Sequence, residues 1–349
     1  MSEAENAPVP ESSTPAGDVS QPSASDPVAQ ADSAIAALDQ VKSEIGKAVF
    51  GQDRVIELVL CSVLAGGHAL LIGAPGLAKT RLVETSATAL GLDTKRIQFT
   101  PDLMPGDILG SEVMDESSDG DRSFRFIQGP IFTRLLMADE INRASPRTQS
   151  ALLQAMQERQ ITVAGVHYDL PKPFHVLATQ NPIEQEGTYP LPEAQLDRFL
   201  LKIDVEYPDA DTERRILIET TGAEAVNVVP ALDAERLINI QQLVRQMPVP
   251  EKVLDAVVRL VREARPEQST DTRVKQRVEW GPSPRAGQAL MLASRARALL
   301  RGRLAPSIDD VEALAEPALS HRMAMSYDPT GTAPTLKQLI ADLVKISTL

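Results

Sequence analysis

His68-Ala-Leu-Leu-Ile-Gly-Ala-Pro-Gly-Leu-Ala-Lys-Thr80 passes from an apolar run into a glycine-rich turn, and Arg81 to Leu90 behind it has helical spacing. Strand, glycine-rich turn and helix, in that order, make a β-α unit of a parallel sheet. From Gly73 to Thr80 the turn follows G-x-x-x-x-G-K-[ST], except that Ala78 stands where the second glycine would be. Such a turn is built for phosphate: backbone N–H groups and the helix N-terminus face phosphate oxygens, Lys79 faces the β- and γ-phosphates, and the Thr80 hydroxyl serves Mg²⁺. The expected nucleotide-binding set is Gly73, Ala74, Pro75, Gly76, Leu77, Ala78, Lys79, Thr80 and Arg81. Ala78 is expected to cost little, on the reading that φ is negative at the mouth of the helix.

Outward from this unit, apolar runs at Ile97–Phe99, Leu135–Ala138, Val176–Thr179 and Leu200–Val205 predict four more strands, with helices between most of them. Upstream, Ile35, Leu38, Val41 and Ile45 give Ser33 to Phe50 one buried helical stripe, and a second helix runs from Gln52 to Leu64. Ser145 to Arg159 reads as a helix with Ser145 as its cap and Pro146 in its first position. Residues 107–130 and 160–174 alternate around turn residues and predict two inserted hairpins. Beyond Pro208 every remaining segment has helical spacing. The expectation is an α/β nucleotide-binding domain over 33–207, an all-α lid over 208–349, and a disordered acidic tail over 1–32.

Composition narrows the function. The 349 residues carry 35 Lys+Arg against 48 Asp+Glu, a net charge of −13, which opposes phosphate neutralisation over the whole surface and makes nucleic acid an unexpected partner. Eleven basic residues against four acidic ones between Arg259 and Arg303 are the best support for the alternative, a nucleic-acid motor. Only Trp280 offers an aromatic among them, however, and a lid beside phosphates has its own need for positive charge. The single cysteine, Cys61, allows no intrachain disulfide and suits a reducing compartment, hence a cytoplasmic location. Leu58 to Ala78 lacks charge over a length that could span a bilayer, but its glycines and Pro75 divide it into helix, strand and turn, so no membrane span is expected.

Four further stretches carry chemistry. Leu135-Leu-Met-Ala-Asp139-Glu140 delivers two carboxylates at a strand end: Asp139 suits Mg²⁺, directly or through water, and Glu140 suits the base that deprotonates the attacking water. Asn181, ending another buried strand before Pro182, can hold that water, or simply end the strand in a turn. Arg198, just before a strand, can stabilise transition-state charge at a neighbouring subunit's γ-phosphate, or form a surface pair with Asp197. Arg285 lies in the first turn of a helix, where a cation opposes the helix dipole, and phosphate binding in cis is the expected reason for it.

In their order, Gly-Ala-Pro-Gly-Leu-Ala-Lys-Thr, Ala-Asp-Glu-Ile-Asn-Arg-Ala, Ala-Thr-Gln-Asn-Pro, Leu-Pro-Glu-Ala-Gln-Leu-Asp-Arg-Phe and Ser-Pro-Arg resemble the AAA+ ATPases of the MoxR family, a P-loop NTPase fold, over Ser33 to the C-terminus. The resemblance implies Lys79 and Thr80 as the Walker A pair, Asp139 and Glu140 as the Walker B pair, Asn181 as sensor 1, Arg198 as arginine finger (with Arg143 the alternative) and Arg285 as sensor 2. It further implies an adenine pocket lined by Val49, Phe50, Gly51 and Gln52, with ATP and Mg²⁺ bound. The two hairpins are similar to the helix-2 insert and pre-sensor-1 insertions shared with magnesium chelatase subunits. What such a resemblance implies for partners is a homo-oligomeric, hexameric ring, a von Willebrand factor A domain protein, and a client protein matured or loaded with a cofactor.

Overall fold

The computed structural model describes residues 27–116, 122–184, 187–222, 226–328 and 334–348. Helix α1 (Pro27–Gly46) buries Leu38, Val41 and Ile45 along one stripe. It starts ahead of the expected boundary at residue 32, which is thereby corrected: Ala31 and Ala34 are buried in close packing, and small residues leave little periodic apolar signal. The tail reading for residues 1–26 lies outside the described residues. Helix α2 (Asp53–Leu64), strand β1 (Ala69–Ile72), helix α3 (Lys79–Ala89) and strand β2 (Thr94–Gln98) follow. A short helix α4 (Pro105–Leu109) leads into the first hairpin, β3 (Gly110–Glu116) and β4 (Arg122–Gln128). Next come β5 (Leu135–Asp139), α5 (Pro146–Glu158), the second hairpin β6 (Gln160–Val163) and β7 (Val166–Asp169), β8 (His175–Gln180), α6 (Glu193–Leu196) and β9 (Leu201–Asp204).

Strands β2-β5-β8-β1-β9 form one sheet in that order, every neighbouring pair parallel. Because side chains alternate across a strand, consecutive residues enter different cores. Leu71, Leu135, Met137 and Leu177 face one hydrophobic cluster, while Leu70, Leu136, Ala138, Val176 and Ala178 face another. This two-sided burial is why the strands read as unbroken apolar runs. At the head of α5 the Ser145 hydroxyl accepts from the Thr148 N–H at 3.4 Å, with Pro146 next in the helix.

The C-terminal part contains α7 (Ala210–Thr221), α8 (Ala234–Gln246), α9 (Glu251–Glu263), α10 (Thr272–Arg277), β10 (Val278–Trp280), α11 (Pro284–Leu300), α12 (Ile308–Leu319), β11 (Ala324–Met325) and α13 (Leu336–Thr348). The antiparallel pair β10–β11 corrects the all-α expectation; three and two residues are too short to leave an alternating pattern. The first hydrophobic cluster runs from α1 and α2 into α9, α11, α12 and α13, so the C-terminal helices share a core with one face of the sheet.

Candidate functional site

In a parallel sheet every strand ends at the same edge, and here the ends of β1, β5 and β8 carry Gly73, Asp139 with Glu140, and Asn181. Gly73 has to be glycine, since a Cβ would lie 2.7 Å from the Val205 carbonyl oxygen, and Gly76 takes a φ of +83°. Ala78 is left-handed, with φ 55° and ψ 23°, as it turns the chain into α3. The expected negative φ is thus corrected: the position keeps the geometry of the glycine it replaces, at about 1 kcal/mol or more for the Cβ. Lys79 Nζ donates to the Gly73 carbonyl at 2.5 Å and the Ala74 carbonyl at 2.9 Å. Partial burial lowers its pKa, opposed by the charges of Asp139 and Glu140.

Asp139 is buried. Its Oδ1 accepts from Thr179 Oγ1 and its Oδ2 from Arg96 Nη2, both at 2.5 Å. Glu140 also has a left-handed backbone, φ 56° and ψ 50°, which swings its carboxylate off the end of the strand. Its Oε2 accepts from Gln98 Nε2 at 2.6 Å and from Arg143 Nη1 at 3.0 Å. Asn181 is buried, its Oδ1 accepting from the Ile183 N–H at 3.1 Å in the turn at Pro182. Sequence reasoning passed over Arg96, Gln98 and Thr179. Arg96 and Gln98 alternate along β2 and so share a face, but sheet order, which no local pattern encodes, is what sets β2 beside β5.

Val49 and Phe50 are buried next to this loop, and Gln52 Nε2 donates to the Leu77 carbonyl at 3.2 Å. Arg81 Nε donates to the Ala48 carbonyl, and the Arg215 guanidinium lies 4.7 Å from the Phe50 ring centroid. Gln52 Oε1 is buried with no hydrogen-bond partner among the described residues, an acceptor suited to an amino group such as adenine's. The residues fit ATP in this respect, and the Thr80 hydroxyl and the Asp139 carboxylate offer the oxygen ligands that Mg²⁺ takes beside phosphate.

Arg198 and Arg285 are elsewhere. Both line a cavity of about 240 Å³ with Gly67 and His68, at the N-terminal end of β1, the edge opposite Lys79. Arg198 Nη1 donates to the Leu153 carbonyl at 2.7 Å. The expectation that Arg285 reaches its own phosphate loop is therefore corrected: the first turn of α11 opens toward Arg198, and the sheet separates both from Lys79. Arg322, almost fully buried, ties down the loop before β9, donating to Asp197 Oδ1 at 2.6 Å and to the carbonyls of Phe199 at 2.7 Å and Leu200 at 3.1 Å. Arg143, the alternative finger, pairs with Glu140 of its own chain.

Much of the basic cluster is spent inside the fold: Arg297 and Arg301 pair with Glu57, Arg297 and Arg303 with Asp310, Arg273 with Asp271 and Asp342, and Arg277 with Asp328. Among the described residues no helix is long and apolar enough to cross a membrane. Residues 68–201 match the family "ATPase family associated with various cellular activities", and residues 270–343 match the AAA lid domain. The chain is 43% identical to chaperone MoxR1 of Mycobacterium tuberculosis over 292 residues, 83% of this chain and 76% of that one. It is 33% identical to protein MoxR of Methylorubrum extorquens over 299 residues, 80% and 85% of the two chains. The crystal structure of a presumed ATPase from Cytophaga hutchinsonii superposes with a TM-score of 0.83 at 35% identity, covering 91% of this chain and 96% of that one.

Proposed function

The chain belongs to the MoxR family of AAA ATPases and is an ATPase; from that premise we propose that it works as a ring-forming chaperone whose ATP sites are completed by the neighbouring subunit. The observation that carries this reading is the separation of Arg198 and Arg285 from Lys79 by the depth of the sheet. A lone subunit holds nucleotide at one edge and its charge-stabilising arginines at the other, so a head-to-tail contact is needed to join them. In this reading residues 33–207 hold the nucleotide and residues 208–349 act as the lid. The ring is hexameric and cytoplasmic, and a von Willebrand factor A domain protein presents the client for maturation or cofactor insertion. The exposed apolar side chains of the β3–β4 hairpin, Met114, Phe124 and Ile127, offer a client-facing surface. Five of the eleven basic residues between Arg259 and Arg303 are in ion pairs, which weakens the case for a nucleic-acid motor.

Lys79 neutralises the β- and γ-phosphates, and the α3 N-terminus adds backbone donors. Thr80 and Asp139 would hold Mg²⁺, which would supply charge neutralisation to the phosphates. Glu140 takes the proton of the attacking water while Gln98 and Arg143 fix its carboxylate, and Asn181 orients the water. Arg198 and Arg285 from the neighbour stabilise the charge developing on the transferred group.

Mixing separates this from a cis site. Lys79→Ala should lose ATP binding by at least tenfold, Glu140→Gln should bind and assemble without turning over, and Arg198→Ala should bind ATP yet hydrolyse about 10³-fold more slowly. A mixture of Lys79→Ala and Arg198→Ala subunits should regain activity, because some interfaces then pair an intact loop with an intact arginine. Full activity of Arg198→Ala alone, under assembling conditions, refutes the composite site.

A further inference from the structure

Helix α7 leaves the end of β9 at the nucleotide edge with none of its residues buried. Its inward side is tied to the candidate adenine pocket, Arg215 over Phe50 and Thr212 against Gly51. Its other side exposes Leu217 (64%) and Ile218 (68%), and Tyr207, just before the helix, is 69% exposed. Large aliphatic side chains exposed side by side on a helix are covered in most stable folds. At the other edge of the molecule an apolar groove of about 800 Å³ runs between α9 and α11, over Leu254, Val258 and Met291, with Leu254 and Val258 about half exposed. Its lining includes Arg245, Arg262, Arg265 and Arg295 and no acidic side chain. Residues 204–219 have the opposite sign: six carboxylates (Asp204, Glu206, Asp209, Asp211, Glu213, Glu219) against Arg214 and Arg215.

We propose that α7 of one copy docks in the α9–α11 groove of the next copy, apolar face inward and acidic flanks toward the groove arginines. The inference rests on the composite-site reading and gives that interface its apolar part. Gln288 lines both this groove and the cavity of Arg198 and Arg285, so the groove belongs to the arginine edge, whereas α7 belongs to the phosphate edge. Such a helix cannot fill the groove of its own chain, and the contact is therefore head to tail. Residues 1–26 are acidic too, but apart from Met1 their largest aliphatic side chains are Val9 and Val19, too little to fill a groove of this size. Because α7 also touches Phe50 through Arg215, nucleotide binding and docking share one helix.

The test uses the full chain with Mg²⁺ and a non-hydrolysable ATP analogue, assembly being followed by sedimentation velocity and nucleotide binding by a fluorescent analogue. The double variants L217D/I218D and L254D/V258D replace exposed side chains, so each should fold and bind the analogue like wild type. Each alone should need at least tenfold higher concentration to assemble. Mixed one to one they should form dimers and nothing larger, since an intact α7 then meets an intact groove at only one interface. Wild-type assembly by both variants overturns the docking. So does a defect confined to the groove variant and reproduced by deleting residues 1–26, which assigns the groove to that segment. A wild-type chain that binds the analogue without assembling overturns the composite site itself, and the docking with it.

Discussion

Ala78 and Glu140 are non-glycine residues at φ 55° and 56°, one at each of the two polar elements that meet at the nucleotide edge. At Glu140 the unusual backbone aims a reactive carboxylate; at Ala78 the side chain is a bare methyl and contributes nothing visible in return. Ala78→Gly should therefore stabilise the protein, by about 0.5–1 kcal/mol once the greater freedom of glycine in the unfolded chain is offset. Urea unfolding measures this, and a destabilised variant would contradict the left-handed assignment. His68 and His175 give a pH prediction. The Val176 N–H donates to His68 Nδ1 at 2.9 Å, and His175 Nε2 accepts from Gln241 at 3.0 Å, so each ring is buried with one nitrogen facing a donor. Burial first of all lowers their pKa values, to about 3 and about 4; at His68 the neighbouring His175 comes next, and Arg159 adds a smaller push at both. Unfolded histidines titrate near 6.5, so the unfolded chain takes up protons that the folded one refuses. Stability present above pH 6.5 is lost as pH falls, by about 2 kcal/mol per histidine at pH 5. The urea midpoint should drop between pH 7.5 and 5, less steeply in His175→Asn.

At the scale of elements, the loop before β9 is held from the lid. Arg322 follows α12 and satisfies the Asp197 carboxylate together with the carbonyls of Phe199 and Leu200, just after Arg198. Lysine cannot reproduce a planar set of five donors, so Arg322→Lys should leave several of these acceptors unpaired at about 2 kcal/mol or more. Because that loop aims Arg198, turnover should fall while ATP affinity stays within a few-fold; equal losses in both would mean a general loss of fold. Two aromatic residues likewise join the inserted hairpins, Phe126 stacking on Tyr168 at 4.2 Å between centroids, so β3–β4 and β6–β7 pack against each other.

Over the whole molecule, core and lid are linked by shared burial and shared charge. Glu57 on α2 meets Arg297 of α11 and Arg301 just past its end, and the fully buried Asp310 carboxylate accepts from Arg297 and Arg303. Asp310→Ala should cost about 2 kcal/mol or more, because the nearly buried Arg297 keeps only Glu57 as counter-charge and the Ser307 N–H loses its acceptor. Unfolding of wild type should remain one transition, as a continuous hydrophobic cluster predicts; two separated transitions would contradict it. Deleting residues 1–26, which have little apolar area to bury, should leave the melting temperature unchanged. The phosphate loop, the buried strands β1, β5 and β8 and the carboxylates at the end of β5 were legible in the sequence, since each is a run of neighbours whose chemistry and period are local. Arg96 and Gln98 beside Asp139 and Glu140, the left-handed turn at Ala78, and Arg285 facing away from Lys79 were not. Strand order, backbone handedness at one residue and the side of the sheet on which a helix opens all depend on contacts between residues far apart in the chain, and only the packed tertiary structure decides them.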